Sequence, residues 1–125
     1  MAKLEVEGME NLLNEIDKMG EVGEKIKKVA LVKAGEKVKD AIISEAPHRT
    51  GNLKENIKVS KLKTKDGMDF VEVYPSKDAF YAPFVEFGTS KVKANPFMSR
   101  GYESSSSEAE ELIIQEIKKE LGLWV

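Results

Sequence analysis

The chain has 125 residues, the length of one domain, and 41% are hydrophobic, which is neither the composition of a disordered chain nor that of a membrane-spanning one. Charged residues make up 34%, but 20 Lys and Arg against 22 Asp and Glu leave a net charge of −2 and no overall basic character for nucleic acid. The lack of cysteine excludes disulfides, cysteine-ligated zinc and thiol catalysis. We therefore expect one domain over residues 1–125, with no cofactor, no signal peptide and no membrane span.

The first third of the chain predicts a strand and two helices. Alternating apolar and charged residues over positions 3–7 predict a short strand. Apolar residues at helical spacing over positions 9–19 predict a first helix, and a longer stripe predicts a second helix over about 24–45. Gly35 lies inside this second helix and indicates close packing there. Pro47 ends the helix, because the residue before a proline avoids the helical conformation.

The middle of the chain predicts a β-hairpin. Positions 47–56 form a loop with one helical turn, in which Thr50 is the expected N-cap and Leu53 a core contact. Positions 57–64 and 68–74 have the composition of two strands, and Lys65-Asp66-Gly67 between them is a hairpin turn signal.

The densest apolar and aromatic cluster covers positions 80–85, and we expect a further short strand there. These side chains belong either to the core or to a protein interface, since aromatic residues anchor both. Glu86 points outward if Val85 and Phe87 point inward. If a subunit boundary covers Glu86 instead, the carboxylate needs a basic partner, for which Arg49 is a candidate.

Asn95 and Pro96 predict the start of the last helix, as its cap and first helical residue. The helix is expected to run to Leu121 and to end at Gly122 as one continuous helix, with a kink at the serines of positions 104–107 as the alternative. The order of elements favours an α+β fold: a small antiparallel sheet of about four strands, with a long helix and a C-terminal helix packed on one face.

Catalytic and metal-binding patterns are sparse. His48 is the single histidine and follows a helix in a polar loop, so it is interpreted as a loop residue rather than a catalytic base or metal ligand. The hairpin region is locally basic and either contacts phosphates or protects an exposed edge strand from aggregation. Its lysines are Lys54, Lys58, Lys61, Lys63 and Lys65.

Two segments resemble the head–tail joining family of long-tailed phages, also called tail-completion or neck proteins. Positions 46–57 are similar to the family's AP-x-RTG-x-L-x-x-x-I pattern, and positions 81–89 with 95–97 are similar to its YA-x-x-VEFGT and x-PF patterns. The matching residues of the first segment are Pro47, Arg49, Thr50, Gly51 and Leu53. Those of the second are Tyr81, Val85, Glu86, Phe87, Gly88 and Thr89, followed by Pro96 and Phe97.

The resemblance implies a non-enzymatic structural protein of a phage or prophage, located in the virion at the head–tail junction and assembled in the host cytoplasm. It implies a homo-oligomeric ring, commonly a hexamer among related junction proteins, with the connector and the tail-tube or tail-terminator proteins as partners. DNA would pass through the ring without sequence-specific contacts. The expected docking residues are Lys61, Lys63, Lys65 and Asp66 on the hairpin, and Ser90, Lys91 and Lys93 on the following loop. The alternative is that both are plain solvent loops.

Overall fold

The computed structural model describes residues 2–5, 16–47 and 51–120. The elements in chain order are β1 (Ala2–Glu5), α1 (Glu21–Glu45), α2 (Asn52–Glu55), β2 (Ile57–Val59), β3 (Lys63–Lys65), β4 (Met68–Pro75), a 3₁₀ turn (Lys77–Ala79), α3 (Ala82–Phe87) and α4 (Phe97–Glu120). The predicted α+β class is confirmed. Most of the first predicted helix, and Gly122 at the predicted end of the last one, lie outside the described residues.

The central strand of the sheet is β4, to which the other three strands pair in antiparallel fashion. One edge is β1, and β2 and β3 follow one another along the opposite edge, so the sheet is three strands wide. The predicted second strand is therefore two short pieces, interrupted at residues 60–62. The turn from β3 to β4 has positive φ at Asp66 (53°) and Gly67 (76°), the geometry of a tight hairpin turn.

The helix α1 lies over β2 and β4, and α4 packs antiparallel along α1 and contacts β1. Both helices thus cover one face of the sheet, as predicted. Close packing at Gly35 is also observed, because a Cβ there would come within 2.8 Å of Val59 Cγ1. At the crossing of the two helices, a Cβ on Gly101 would come within 2.5 Å of the Ile42 Cα, so only glycine fits this approach.

The core lies between the helices and the sheet. Its fully buried side chains include Leu31, Val38 and Ile42 of α1, Val71 and Val73 of β4, and Phe97, Ile113 and Ile117 of α4. The C-terminal helix is continuous through the serines, and Ser105 is buried with its hydroxyl donating to the Gly101 carbonyl at 2.7 Å. Among the described residues, no helix is long and apolar enough to cross a membrane.

The segment predicted as a further short strand is instead the helix α3. The density of aromatic residues suggested a strand, but a proline in the first turn and a glycine after the last residue are helix boundary signals. This difference reverses which side chains face the core. Glu86 is buried and Phe87 is exposed, the opposite of the expected strand pattern.

Candidate interaction surface

The helix α3 presents phenylalanine side chains to solvent. Ala82 and Glu86, four residues apart, face the core, whereas Phe84 and Phe87 lie on the opposite side and are 57% and 74% exposed. Phe80, just before the helix, is also 74% exposed and meets the Tyr81 ring edge-on at 5.7 Å. Large exposed aromatic groups in one place are typical of protein docking sites. We call Phe80, Phe84 and Phe87 the phenylalanine surface.

Glu86 holds this short helix against the first turn of α4. The residue is 6% exposed, and its carboxylate accepts hydrogen bonds from the backbone N–H groups of Met98 (2.8 Å) and Ser99 (3.3 Å) and from the Ser99 hydroxyl (2.6 Å). Met98 and Ser99 are the second and third residues of α4. The Glu86 side chain therefore caps the N-terminus of a helix that begins eleven residues later in the chain. The negative charge also suits the positive end of the helix dipole.

The predicted cap residues of α4 have different roles from those expected. The helix begins at Phe97, not at Pro96. The Asn95 side chain accepts a hydrogen bond from Arg100 Nη2 at 2.7 Å, and Arg100 Nε donates to Glu45 at 3.0 Å. Arg100 therefore links Asn95 and the start of α4 to the end of α1, while Glu86 accepts hydrogen bonds from the first backbone N–H groups of α4.

Gly88 turns the chain from α3 into the loop of residues 89–95. Its φ is 76°, and a Cβ would come within 2.7 Å of the Ala94 nitrogen, so a larger residue is excluded on both grounds. Within the loop, the Thr89 hydroxyl accepts from the Lys91 and Val92 N–H groups, and the Thr89 N–H donates to the Val92 carbonyl at 2.8 Å. Ser90, Lys91 and Lys93 are exposed on this ordered turn.

The two motif segments meet at one cavity of about 460 Å³. Pro47 and Leu53 contribute from the first segment, and Tyr81 and Val85 from the second. Asn52 supports this junction, since its side-chain amide donates to the Tyr81 hydroxyl at 2.8 Å and to the Asp78 carbonyl at 2.9 Å. Gly51, rather than the predicted Thr50, is the N-cap of α2, and its φ of 75° fits the predicted turn. Arg49 and Thr50 lie outside the described residues, as does His48.

The two predicted docking segments lie at opposite ends of the molecule. The hairpin tip with Lys65 and Asp66 lies where β4 begins, and the loop with Lys91 follows the elements at its far end. The strand β4 that lies between these two ends has eight residues and is about 24 Å long. The exposed Lys61, Lys63 and Lys65 lie along the β2–β3 edge, where the Lys63 ammonium is 3.4 Å from a carboxylate oxygen of Glu72. The structure therefore offers two separate surfaces rather than one site.

A buried lysine fixes the start of α1 to the sheet. Lys27 is 3% exposed, and its ammonium lies 2.6 Å from Asp17, 2.5 Å from Asp69 and 3.1 Å from Glu24. Burial opposes the charged form, but the three carboxylates outweigh it and raise the pKa of Lys27. Burial similarly opposes ionised Asp69, yet hydrogen bonds from Lys27 and Thr64 and the Lys27 charge hold the Asp69 pKa below its usual value.

The sequence placed Phe80 and Phe84 in a cluster that belongs either to the core or to an interface, but did not single them out as site residues. The signal that could have identified them is their spacing, because Phe80, Phe84 and Phe87 recur at i, i+4 and i+7, which is one face of a helix. Over residues 16–47 and 51–120, no group of three or more histidine, aspartate or glutamate side chains is placed to hold a metal ion.

Comparison with protein families places most of the chain in a known family. The family described as "Bacteriophage HK97-gp10, putative tail-component" matches residues 10–88, which include α1, the sheet strands β2–β4 and the whole of α3. No curated protein and no solved structure matches the chain.

Proposed function

The chain belongs to the HK97-gp10-like family of bacteriophage tail components, and from this premise we propose that it is a ring-forming adaptor at the head–tail junction. In this role it connects the capsid connector to the tail tube or tail terminator in the virion, after assembly in the bacterial cytoplasm. The proposed mechanism is surface complementarity without catalysis, and DNA passes through the ring without base-specific contacts.

The phenylalanine surface is the observation that carries this proposal. Burying an exposed aromatic side chain in a partner removes a large apolar area from water, and such residues commonly dominate binding energy. The helix that carries the surface is held rigidly by Glu86 and Gly88, so little conformational entropy is lost on docking. Conformational order before binding is what an assembly subunit needs.

The second supporting feature is the separation of the two predicted docking segments. An adaptor contacts different neighbours on its two sides, and the hairpin tip and the loop of residues 89–95 lie at opposite ends of β4. We assign the loop end, with the phenylalanine surface, to subunit assembly and the hairpin end, with Lys61, Lys65 and Asp66, to a neighbouring virion protein.

Light scattering on the purified chain, alone and mixed with the tail-tube and connector proteins encoded in the same genome, tests the proposal. We expect complexes larger than any single component. The double variant Phe84→Ser, Phe87→Ser should lose the complexes that the chain forms with itself, while Val22→Ser, Val29→Ser should retain them, because Val22 and Val29 are exposed apolar residues elsewhere, on α1. Components that stay separate in every mixture would contradict the proposal.

A further inference from the structure

We infer that the phenylalanine surface docks into a groove between α1 and α4 of a second copy of this chain. This inference rests on the proposed assembly function and adds which two surfaces meet. The groove has a volume of about 240 Å³ and is lined by Lys37 of α1 and by Glu108, Glu111, Leu112 and Gln115 of α4. We call these five residues the helix groove.

The size and the floor of the helix groove suit an aromatic ring. A cavity of about 150 Å³ is enough to hold benzene. Leu112 is half-buried in the groove and offers an apolar contact. The rim is polar: Lys37 pairs with Glu108 at 2.9 Å, and Glu111 accepts a 3.5 Å hydrogen bond from the Gln115 side chain and has no cation partner among the described residues. An apolar centre with a charged rim is the usual organisation of a protein interface.

The charges flanking the two surfaces are complementary. The segment of α4 from 103 to 115 contains four carboxylates, those of Glu103, Glu108, Glu110 and Glu111, and no basic residue. The loop of residues 88–95 beside the phenylalanine surface contains Lys91 and Lys93 and no acidic residue. Docking of Phe84 and Phe87 in the groove would bring these lysines towards the acidic segment. The charge complementarity favours this arrangement, with a second copy of the chain as the partner.

The two surfaces of one chain cannot meet each other. Glu86 fixes α3 to the first turn of α4, and Glu108 lies eleven residues beyond Phe97, about 16 Å along the helix. The occupant is therefore a second molecule. Because a surface of one copy meets a different surface of the next, the contact is heterologous, and repeating it builds a closed ring or an open helical array.

The lack of cysteine in the chain permits a direct test by cross-linking. Ser90→Cys places a thiol beside the phenylalanine surface, and Gln115→Cys places one at the helix groove. Mixing these two variants with a short bis-maleimide should give covalent dimers. The yield should exceed by at least about tenfold that of Ser90→Cys mixed with Asp66→Cys at the hairpin tip, since aromatic anchors carry that much of the affinity. One chain with both Ser90→Cys and Gln115→Cys should form a ladder of oligomers.

Three further sets of substitutions identify the contacts. Adding Phe84→Ser and Phe87→Ser to the Ser90→Cys chain should reduce the yield to that of the control pair. Glu108→Lys, Glu111→Lys in the Gln115→Cys chain should also reduce it, and Lys91→Glu, Lys93→Glu in the Ser90→Cys chain should restore it.

Two results would overturn the inference. One is an equal cross-linking yield from the Gln115→Cys pair and the Asp66→Cys pair, and the other is a yield that does not fall when Phe84 and Phe87 are replaced by serine. If the chain still forms complexes with tail proteins in that case, the proposed function stands and the phenylalanine surface has a different virion protein as its occupant. If both cross-linking and tail-protein binding are absent, both proposals fail.

Discussion

The carboxylate of Glu86 accepts a 2.8 Å hydrogen bond from the backbone N–H of Met98, and this contact joins the two halves of the second motif. Glu86 belongs to the V-E-F-G-T segment, and Met98 directly follows Asn95-Pro96-Phe97. The intervening loop is closed by Gly88, where a side chain would collide with Ala94. Glu86, Gly88 and the first turn of α4 therefore act together to orient the phenylalanine surface.

Removing the cap should destabilise the fold. Glu86→Ala leaves the Met98 and Ser99 N–H groups without their acceptor, and we expect a loss of about 1–3 kcal/mol in the free energy of unfolding. Glu86→Gln keeps one oxygen and should lose less, about 0.5–1.5 kcal/mol. Urea denaturation measures both. Glu110→Gln, on an exposed turn of α4, is the matched control and should change stability little; equal losses at the two positions would contradict the capping role.

The Lys27 cluster predicts a pH dependence of stability with a definite sign. The Asp69 pKa is held below its usual value in the folded chain. The contribution of ionised Asp69 to folding stability is therefore full above about pH 4, the pKa of an unfolded aspartate, and is lost as the pH falls through the pKa of the folded state. The Lys27 pKa is raised, so its contribution is full below about pH 10 and is lost only at higher pH.

Urea denaturation of Asp69→Asn between pH 2 and 7 measures how stability depends on pH on the acid side. The difference in stability from the unsubstituted chain should be largest near neutral pH and should shrink towards pH 2. At neutral pH, Lys27→Met should lose about 1–3 kcal/mol because Asp69 is left half-buried without its cation, whereas Lys28→Met on the exposed side should lose little. A stability difference for Asp69→Asn that does not vary with pH would show that the cluster does not act as described.

Sequence periodicity predicted the elements with long or strongly patterned signals. The helix α1, the Asp66-Gly67 turn and the continuous α4 are observed where the pattern indicated them, but Val22 and Val29, two members of the predicted apolar stripe of α1, are exposed. The predicted strand at α3 was wrong because six residues are too short to distinguish helical from strand spacing by density alone. Its cap could not be predicted either, since Glu86 satisfies α4 through space, across a loop whose path depends on Gly88.

The basic edge formed by β2 and β3 allows the nucleic-acid alternative to be tested. We expect its lysines to protect the exposed strand edge from pairing with other chains, so Lys61→Val, Lys65→Val should aggregate faster at neutral pH than the unsubstituted chain. Lys28→Val on α1 is the control for lost charge alone. Fluorescence anisotropy with duplex DNA at low salt should show no binding. Micromolar affinity for DNA would favour the nucleic-acid alternative if it weakens steeply with salt and is lost in the double variant.

Electron microscopy of particles made without this chain tests the head–tail junction most directly. A phage or induced prophage that lacks the gene should accumulate separate filled heads and tails. Supplying the unsubstituted chain should restore joined virions, whereas supplying Phe84→Ser, Phe87→Ser should not, provided that this variant is as stable as Val22→Ser, Val29→Ser. Joined, infectious virions formed in the absence of the chain would contradict the account.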